Sequence, residues 1–205
     1  MKRRDFLKWT AVSSAGLAMP CGLPALGRIA QAAQGPDLVV AKGASAPQTV
    51  RAALDALGGM KRFVSKGDVV ILKPNIGWDR TPQYAATTNP DVVGALSKLC
   101  YESGAKKVRV FDNTVNDARR CYRQSGIADA AAAAGAEMVY MDSRKYRDVR
   151  INGTALKSWP LYGEIFEADK VINVPIAKTH SLSKLTLGMK NWMGVMGGVR
   201  FRVRL

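Results

Sequence analysis

The apolar positions of the chain change period several times, and each change marks an element. Pro47–Leu57 repeats apolar residues at helical spacing, with Val50, Ala53, Leu54 and Leu57 on one face, and Gly58-Gly59 stops it. Asp68–Leu72 is a continuous apolar run, the pattern of a strand buried on both faces of a parallel sheet. Asn89-Pro90-Asp91 is a helix start, with a capping Asn, Pro in the first turn and an acid near the positive end of the dipole. Val92, Leu96, Leu99 and Cys100 continue that helix until Gly104. Val108–Phe111 reads as a strand ending at Asp112-Asn113, Ile127–Ala134 as a helix ended by Gly135, and Met138–Met141 as a strand ending at Asp142.

Asp37–Ala41 and Val171–Val174 read as two more strands. Val149–Leu156 reads as a small hairpin, because Asn152-Gly153 is the strongest two-residue turn signal. Leu185, Met189, Trp192, Met193 and Met196 fall on one helical face, which predicts a helix starting soon after His180. Strands alternating with helices predict an α/β fold, a mostly parallel sheet with a hairpin insertion and right-handed crossovers.

The first residues follow a different logic. Arg3-Arg4, a spacer, then Phe6-Leu7-Lys8 match the twin-arginine export pattern closely. A weakly apolar stretch follows from Trp9 to Leu26, too short and interrupted for a membrane span, and Ala30-Gln31-Ala32 reads as a cleavage site. The expected organisation is a signal peptide over residues 1–32 and a single α/β domain over 33–205, exported to the periplasm or extracytoplasmic side, with the twin-arginine machinery as a partner and no transmembrane span in the mature chain.

Charge narrows the ligand class. The chain has 31 basic and 16 acidic residues, a net charge of +15, and setting the first 32 residues aside still leaves 26 against 15. Such an excess suits anionic partners. Nucleic acid is not expected, since no basic run with interleaved aromatics stands out. Cys100 and Cys121 are too few for a four-cysteine metal or cluster site within the chain, and no Walker loop, GxGxxG or HExxH motif occurs. Cys100 falls on an apolar helix face, whereas Arg119-Arg120 could lower the pKa of the Cys121 thiol.

In open parallel sheets, ligands bind beyond the carboxyl ends of the strands. The polar residues placed there are Lys73 and Asn75, then Asp112 and Asn113, then Lys178, Thr179 and His180; Lys190 and Asn191 lie off the apolar face of the last helix. His180 is the sole histidine. It could cap a turn, contact a ligand, or carry a proton in an oxidoreductase or transferase reaction. Lys73 and Asn75 are an anion cradle or a polar strand end. Asp112 and Asn113 bind a metal or hydroxyl groups, or cap the next segment. A third alternative is a non-catalytic docking partner of a membrane redox complex, which expects a basic patch and no pocket.

Several blocks together resemble the domain of unknown function 362 family: Val69–Asn75, Thr87-Thr88-Asn89-Pro90, Ser125-Gly126, Asn173–His180, and Leu185–Asn191 with its Lys190-Asn191 pair. The resemblance covers roughly residues 68–200. It implies association with iron–sulfur or other redox centres, because some family members are joined to ferredoxin-like modules and others are exported by the twin-arginine route. Family members also continue past Gly197-Gly198-Val199-Arg200, usually with another histidine. The resemblance therefore implies that this chain is truncated, with its last strands and part of its site missing.

Overall fold

The structure is a computed structural model that describes residues 35–198. The signal-peptide residues Arg3, Arg4, Phe6, Leu7 and Lys8, and the stretch 199–205, lie outside the described residues.

The apolar run after Asp68 forms β1 (Val69–Pro74), at the centre of a four-stranded sheet. β2 (Lys107–Val110) pairs with it on one side and β6 (Lys170–Val174) on the other, while β3 (Glu137–Met138) pairs with β2. All these pairings are parallel, in the order β3-β2-β1-β6. This agrees with the α/β expectation. The chain steps from β1 outward through β2 to β3, then returns to the other side of β1, so the order reverses between β1 and β6. That reversal is the switch point at which open α/β sheets form ligand crevices.

Helices cover one face. α1 (Ala46–Ala56) carries half-buried Val50 and Leu54 against the core. α2 (Pro90–Glu102) starts where the sequence requires, with the Asn89 side chain accepting from Asp91 N at 2.8 Å, and it buries Val93, Leu96, Leu99 and Cys100. α3 (Ala118–Gln124), which the sequence pattern did not single out, is capped by Asp117. α4 (Ile127–Ala133) crosses α2 where Gly94 lets the backbones meet; a Cβ there would lie 3.3 Å from the Ala130 carbonyl oxygen. Alternate β1 side chains face each way, so Val70 and Leu72 join the helix-side core while Ile71 joins a second cluster with Phe111, Tyr162 and Val195. Phe111 and Tyr162 meet edge to face with centroids 5.1 Å apart.

That second face is covered by the hairpin β4 (Tyr146–Arg150) and β5 (Ser158–Tyr162) and by a turn over Trp192–Val195. The hairpin exists but is displaced: β4 takes in only Val149 and Arg150 of the expected span, and β5 lies beyond it. Asn152-Gly153 lies in a longer 151–157 connection, with Asn152 at φ 59° and Gly153 N donating to Leu156 O at 3.1 Å.

Three further expectations are corrected. Asp37–Ala41 forms no strand. The strand at Met138–Met141 is confined to Glu137–Met138. The segment after His180 is not one helix: β7 (Lys178–His180) and β8 (Lys184–Thr186) make an antiparallel hairpin, followed by the single-turn α5 (Gly188–Asn191) and the 192–195 turn. Consequently Leu185 and Met189 do not share a buried face, and Met189 is 91% exposed. Among the described residues no helix is long and apolar enough to cross a membrane.

Candidate functional site

The carboxyl ends of β1, β2 and β6 open onto a cleft of about 790 Å³. Its floor is an ion pair. Lys73, the penultimate residue of β1, is fully buried, and its ammonium lies 2.7 Å from Asp112 Oδ1 just past β2. It also donates to the Pro74 carbonyl at 2.6 Å. Asp112 Oδ2 accepts from Ile76 N at 2.7 Å. Burying two charges is costly unless they are paired and otherwise bonded, and here both conditions hold.

Tyr122 of α3 fixes the aspartate backbone. Its hydroxyl accepts from Asp112 N at 2.9 Å and lies 2.9 and 3.1 Å from the carbonyls of Asp112 and Val139, one of which takes its proton. Burial pushes the phenol well above its usual range. Gly194 presses on the pair from the other side. A Cβ there would sit 1.8 Å from Asp112 Oδ1 and 2.6 Å from Lys73 Nζ, so only glycine fits. The Gly194 turn is anchored by Asn113, whose N–H donates to Gly194 O at 3.1 Å and whose amide donates to the Tyr146 hydroxyl at 2.9 Å.

Asn191 ties the floor to α5. Its amide nitrogen donates to Lys73 O at 2.9 Å and to Asn173 Oδ1 at 2.8 Å, and Asn173 in turn donates to Gly188 O. The Asn191 orientation is thereby fixed, and its Oδ1 is left buried without a hydrogen-bond partner among the described residues, as is Thr186 Oγ1. Thr88 stitches β1 to β6, donating to Val174 O at 2.7 Å and accepting from Asn75 N at 2.8 Å.

The cationic wall comes from the β7–β8 hairpin and α5. The half-buried Lys178 reaches across to the Ala86 carbonyl and to Asn75 Oδ1. Burial, with Lys190 nearby, lowers its pKa below the usual lysine range; Asp112 opposes this. Lys190 lines the same cleft. Among the described residues, neither Lys178 nor Lys190 forms an ion pair. His180 accepts from Leu182 N at 3.2 Å and Ser183 N at 3.1 Å through Nδ1, which assigns the ring proton to Nε2. Desolvation, then Lys190 and Lys178, push its pKa below the usual histidine range, so the ring is neutral at neutral pH.

The structure thus gathers Asn75, Asp112, Lys178, His180, Lys190 and Asn191 around one cleft, with Thr179 on its exposed rim. Three sequence-based expectations change. Lys73 is sealed beneath the floor, where its charge is spent on Asp112. Asn113 lines the cleft, and its side-chain amide donates to the hairpin tyrosine Tyr146. His180 sits in a hairpin strand, so the expected helix N-terminus beside it is absent. Sequence reasoning missed Trp78, Tyr84 and Met193 on the rim, and Gly194 and Tyr122 around the ion pair. Exposed aromatics in the glycine- and proline-rich loop after β1 were the available signal for Trp78 and Tyr84.

Cys100 and Cys121 are free and buried. Burial pushes the Cys100 thiol up to about 12 and raises Cys121 as well, against the lowering expected from Arg119-Arg120. Among the described residues, no three His, Cys, Asp or Glu side chains gather as metal ligands. With the thiols in the core and Asp112 committed to Lys73, this donor set does not fit an iron–sulfur cluster or a protein-held metal.

The model of the twin-arginine translocation pathway signal sequence matches residues 1–20, which indicates export across the membrane. A thylakoid-associated protein of Synechocystis sp. is 31% identical over 150 residues, covering 73% of this chain and 46% of that protein. The chain therefore spans about half the length of this curated relative. No solved structure matches significantly. The model of the domain of unknown function DUF362 matches residues 70–204, the stretch that builds the sheet and the cleft, and the chain belongs to that family.

Proposed function

We propose that this protein works on the extracytoplasmic side of the membrane, in the periplasm, and binds a small anionic ligand in the cleft between the ends of β1 and β6. The observation that carries this reading is the convergence of Lys178, Lys190 and the Nε2 proton of His180 on one cleft, where neither lysine has an ion-pair partner among the described residues. A partly buried cation such as Lys178, without an ion-pair partner among the described residues, is electrostatically costly, and a bound anion relieves that cost. Asn75, Thr179 and Thr186 supply polar contacts, and Asn191 Oδ1 supplies an acceptor for a ligand hydroxyl or amine. The Lys73–Asp112 pair holds the floor rigid.

A second reading has His180 as proton carrier for a bound substrate. The neutral ring offers its Nε2–H only as a hydrogen-bond donor, and proton transfer requires it first to take up a proton as imidazolium. A purely docking role expects no pocket, and the cleft weighs against it. The thylakoid association of the relative fits a place at a membrane. A redox partner protein is compatible with anion binding, but the donor set does not support a cluster held by the described residues.

The test is calorimetric titration of the purified chain with sulfate, whose charge is constant across the neutral range. Charge-assisted hydrogen bonds contribute about 1.5–3 kcal/mol each. The Lys178→Ala/Lys190→Ala variant is therefore expected to bind at least about tenfold more weakly. Affinity unchanged within about twofold, with the fold intact by circular dichroism, refutes the reading.

A further inference from the structure

Resting on that anion site, we infer that its ligand is an aromatic anion, with the charged head against Lys178, His180 and Lys190 and a flat ring against Trp78 and Tyr84. Size argues first. The cleft encloses about 790 Å³, within the range of pockets for drug-sized organic ligands. An inorganic oxyanion displaces only a few waters of about 30 Å³ each and leaves most of that space wet.

The second argument is the aromatic lining that the cleft carries besides its cations. Trp78, on the loop after β1, is 41% exposed, and Tyr84, on the same loop, is 71% exposed; both line the cleft. Neither ring packs against another ring among the described residues, as is also true of Phe63, Tyr101, Trp159, Phe166 and Trp192, but of these only Trp78 and Tyr84 line the cleft. Two large, partly exposed aromatics lining a cationic cleft offer π-faces that a planar ligand covers by offset stacking. Met193 and Val115 add apolar lining to the same cleft, so a ring seated against it displaces water.

The charged end is fixed independently. Lys178 is held at the Asn75 side of the cleft by its bond to Ala86 O, and His180 is held by two backbone N–H groups, so neither needs to reorganise to meet an anion. A ligand satisfying both ends carries a carboxylate or phosphate attached to an aromatic ring. An added hydroxyl or amine suits Asn191 Oδ1.

Phenyl phosphate and inorganic phosphate, titrated calorimetrically into the full chain, separate the two levels of the inference. Phenyl phosphate is expected to bind roughly tenfold more tightly, the order of magnitude of one stacked aromatic contact. In Trp78→Ala/Tyr84→Ala that preference falls to within about twofold, while inorganic phosphate affinity stays within twofold of the parent. Equal affinities in the parent chain, or a preference that survives the double substitution, overturn the aromatic assignment and leave anion binding standing. Absence of binding by either probe, or phosphate affinity unaffected by Lys178→Ala/Lys190→Ala, overturns the anion site and the aromatic assignment with it.

Discussion

Gly194→Ala places a methyl group inside the buried ion pair. The added Cβ would sit 1.8 Å from Asp112 Oδ1, 2.5 Å from Lys73 Cε and 2.6 Å from Lys73 Nζ, whereas ordinary contact begins at 3.4 Å. Gly194 has no left-handed backbone to maintain, so the penalty is steric and electrostatic and not conformational. Neither charged group has room to retreat. Lys73 is fully buried and Asp112 almost so, and Asp112 Oδ2 is held by Ile76 N. Either the pair opens, which costs about 3–5 kcal/mol for a buried pair, or the Trp192–Val195 turn lifts, with an overpacking cost of about 1–3 kcal/mol. We expect a loss of about 3 kcal/mol, read as a lower urea midpoint at unchanged slope, and a fall in Tm of roughly 6–12 °C. Gly188→Ala is the control: its Cβ would meet only Asn173 Nδ2, at 3.6 Å, so its midpoint stays close to that of the parent. If Gly194→Ala shifts the midpoint no more than Gly188→Ala, the ion pair is not sealed by the turn and the rigid floor is wrong.

Two further outcomes follow from the same geometry. Tyr122→Phe leaves Asp112 N and a carbonyl without a buried partner and should destabilise by about 1–3 kcal/mol in urea melts, with sulfate affinity reduced because Asp112 is no longer fixed. The pH dependence of sulfate binding has a definite sign. His180 is depressed below the usual histidine range in the free protein, and an anion raises it again, so the complex holds more protons than the free chain. Affinity therefore rises as pH falls through the histidine range, by at most about one decade per pH unit. His180→Gln flattens that limb, and a pH profile identical in parent and variant would separate His180 from the site.

Much of the frame was legible because local signals agreed with the final packing. Asn89-Pro90-Asp91 fixes a helix start by capping chemistry alone, and β1 shows as an unbroken apolar run because it is buried on both faces at the sheet centre. The segment after His180 was misread for a physical reason. β7 and β8 have three residues each, too short to show an alternation, and β8 opens on Lys184 at φ 62°, a conformation no sequence rule assigns to lysine. Leu185, Met189 and Met193 then match helical spacing across a strand, a single helical turn and a 3₁₀ turn. The candidate residues were found because strand ends can be read locally. Their convergence could not be, since it depends on β6 returning to pair with β1, with Lys73 beside Asn173 in register. The sealing of Lys73 beneath Gly194 likewise depends on a contact between segments more than a hundred residues apart.

The most direct measurement is the position of a bound anion. A crystal of the full chain soaked in tungstate, an oxyanion with strong anomalous scattering, reports that position without reference to affinity or activity. The account predicts a peak in the cleft within hydrogen-bond reach of Lys178 Nζ and His180 Nε2, with Lys190 alongside, and its loss in Lys178→Ala/Lys190→Ala. Tungstate bound only elsewhere on the basic surface, with the cleft empty, would contradict it.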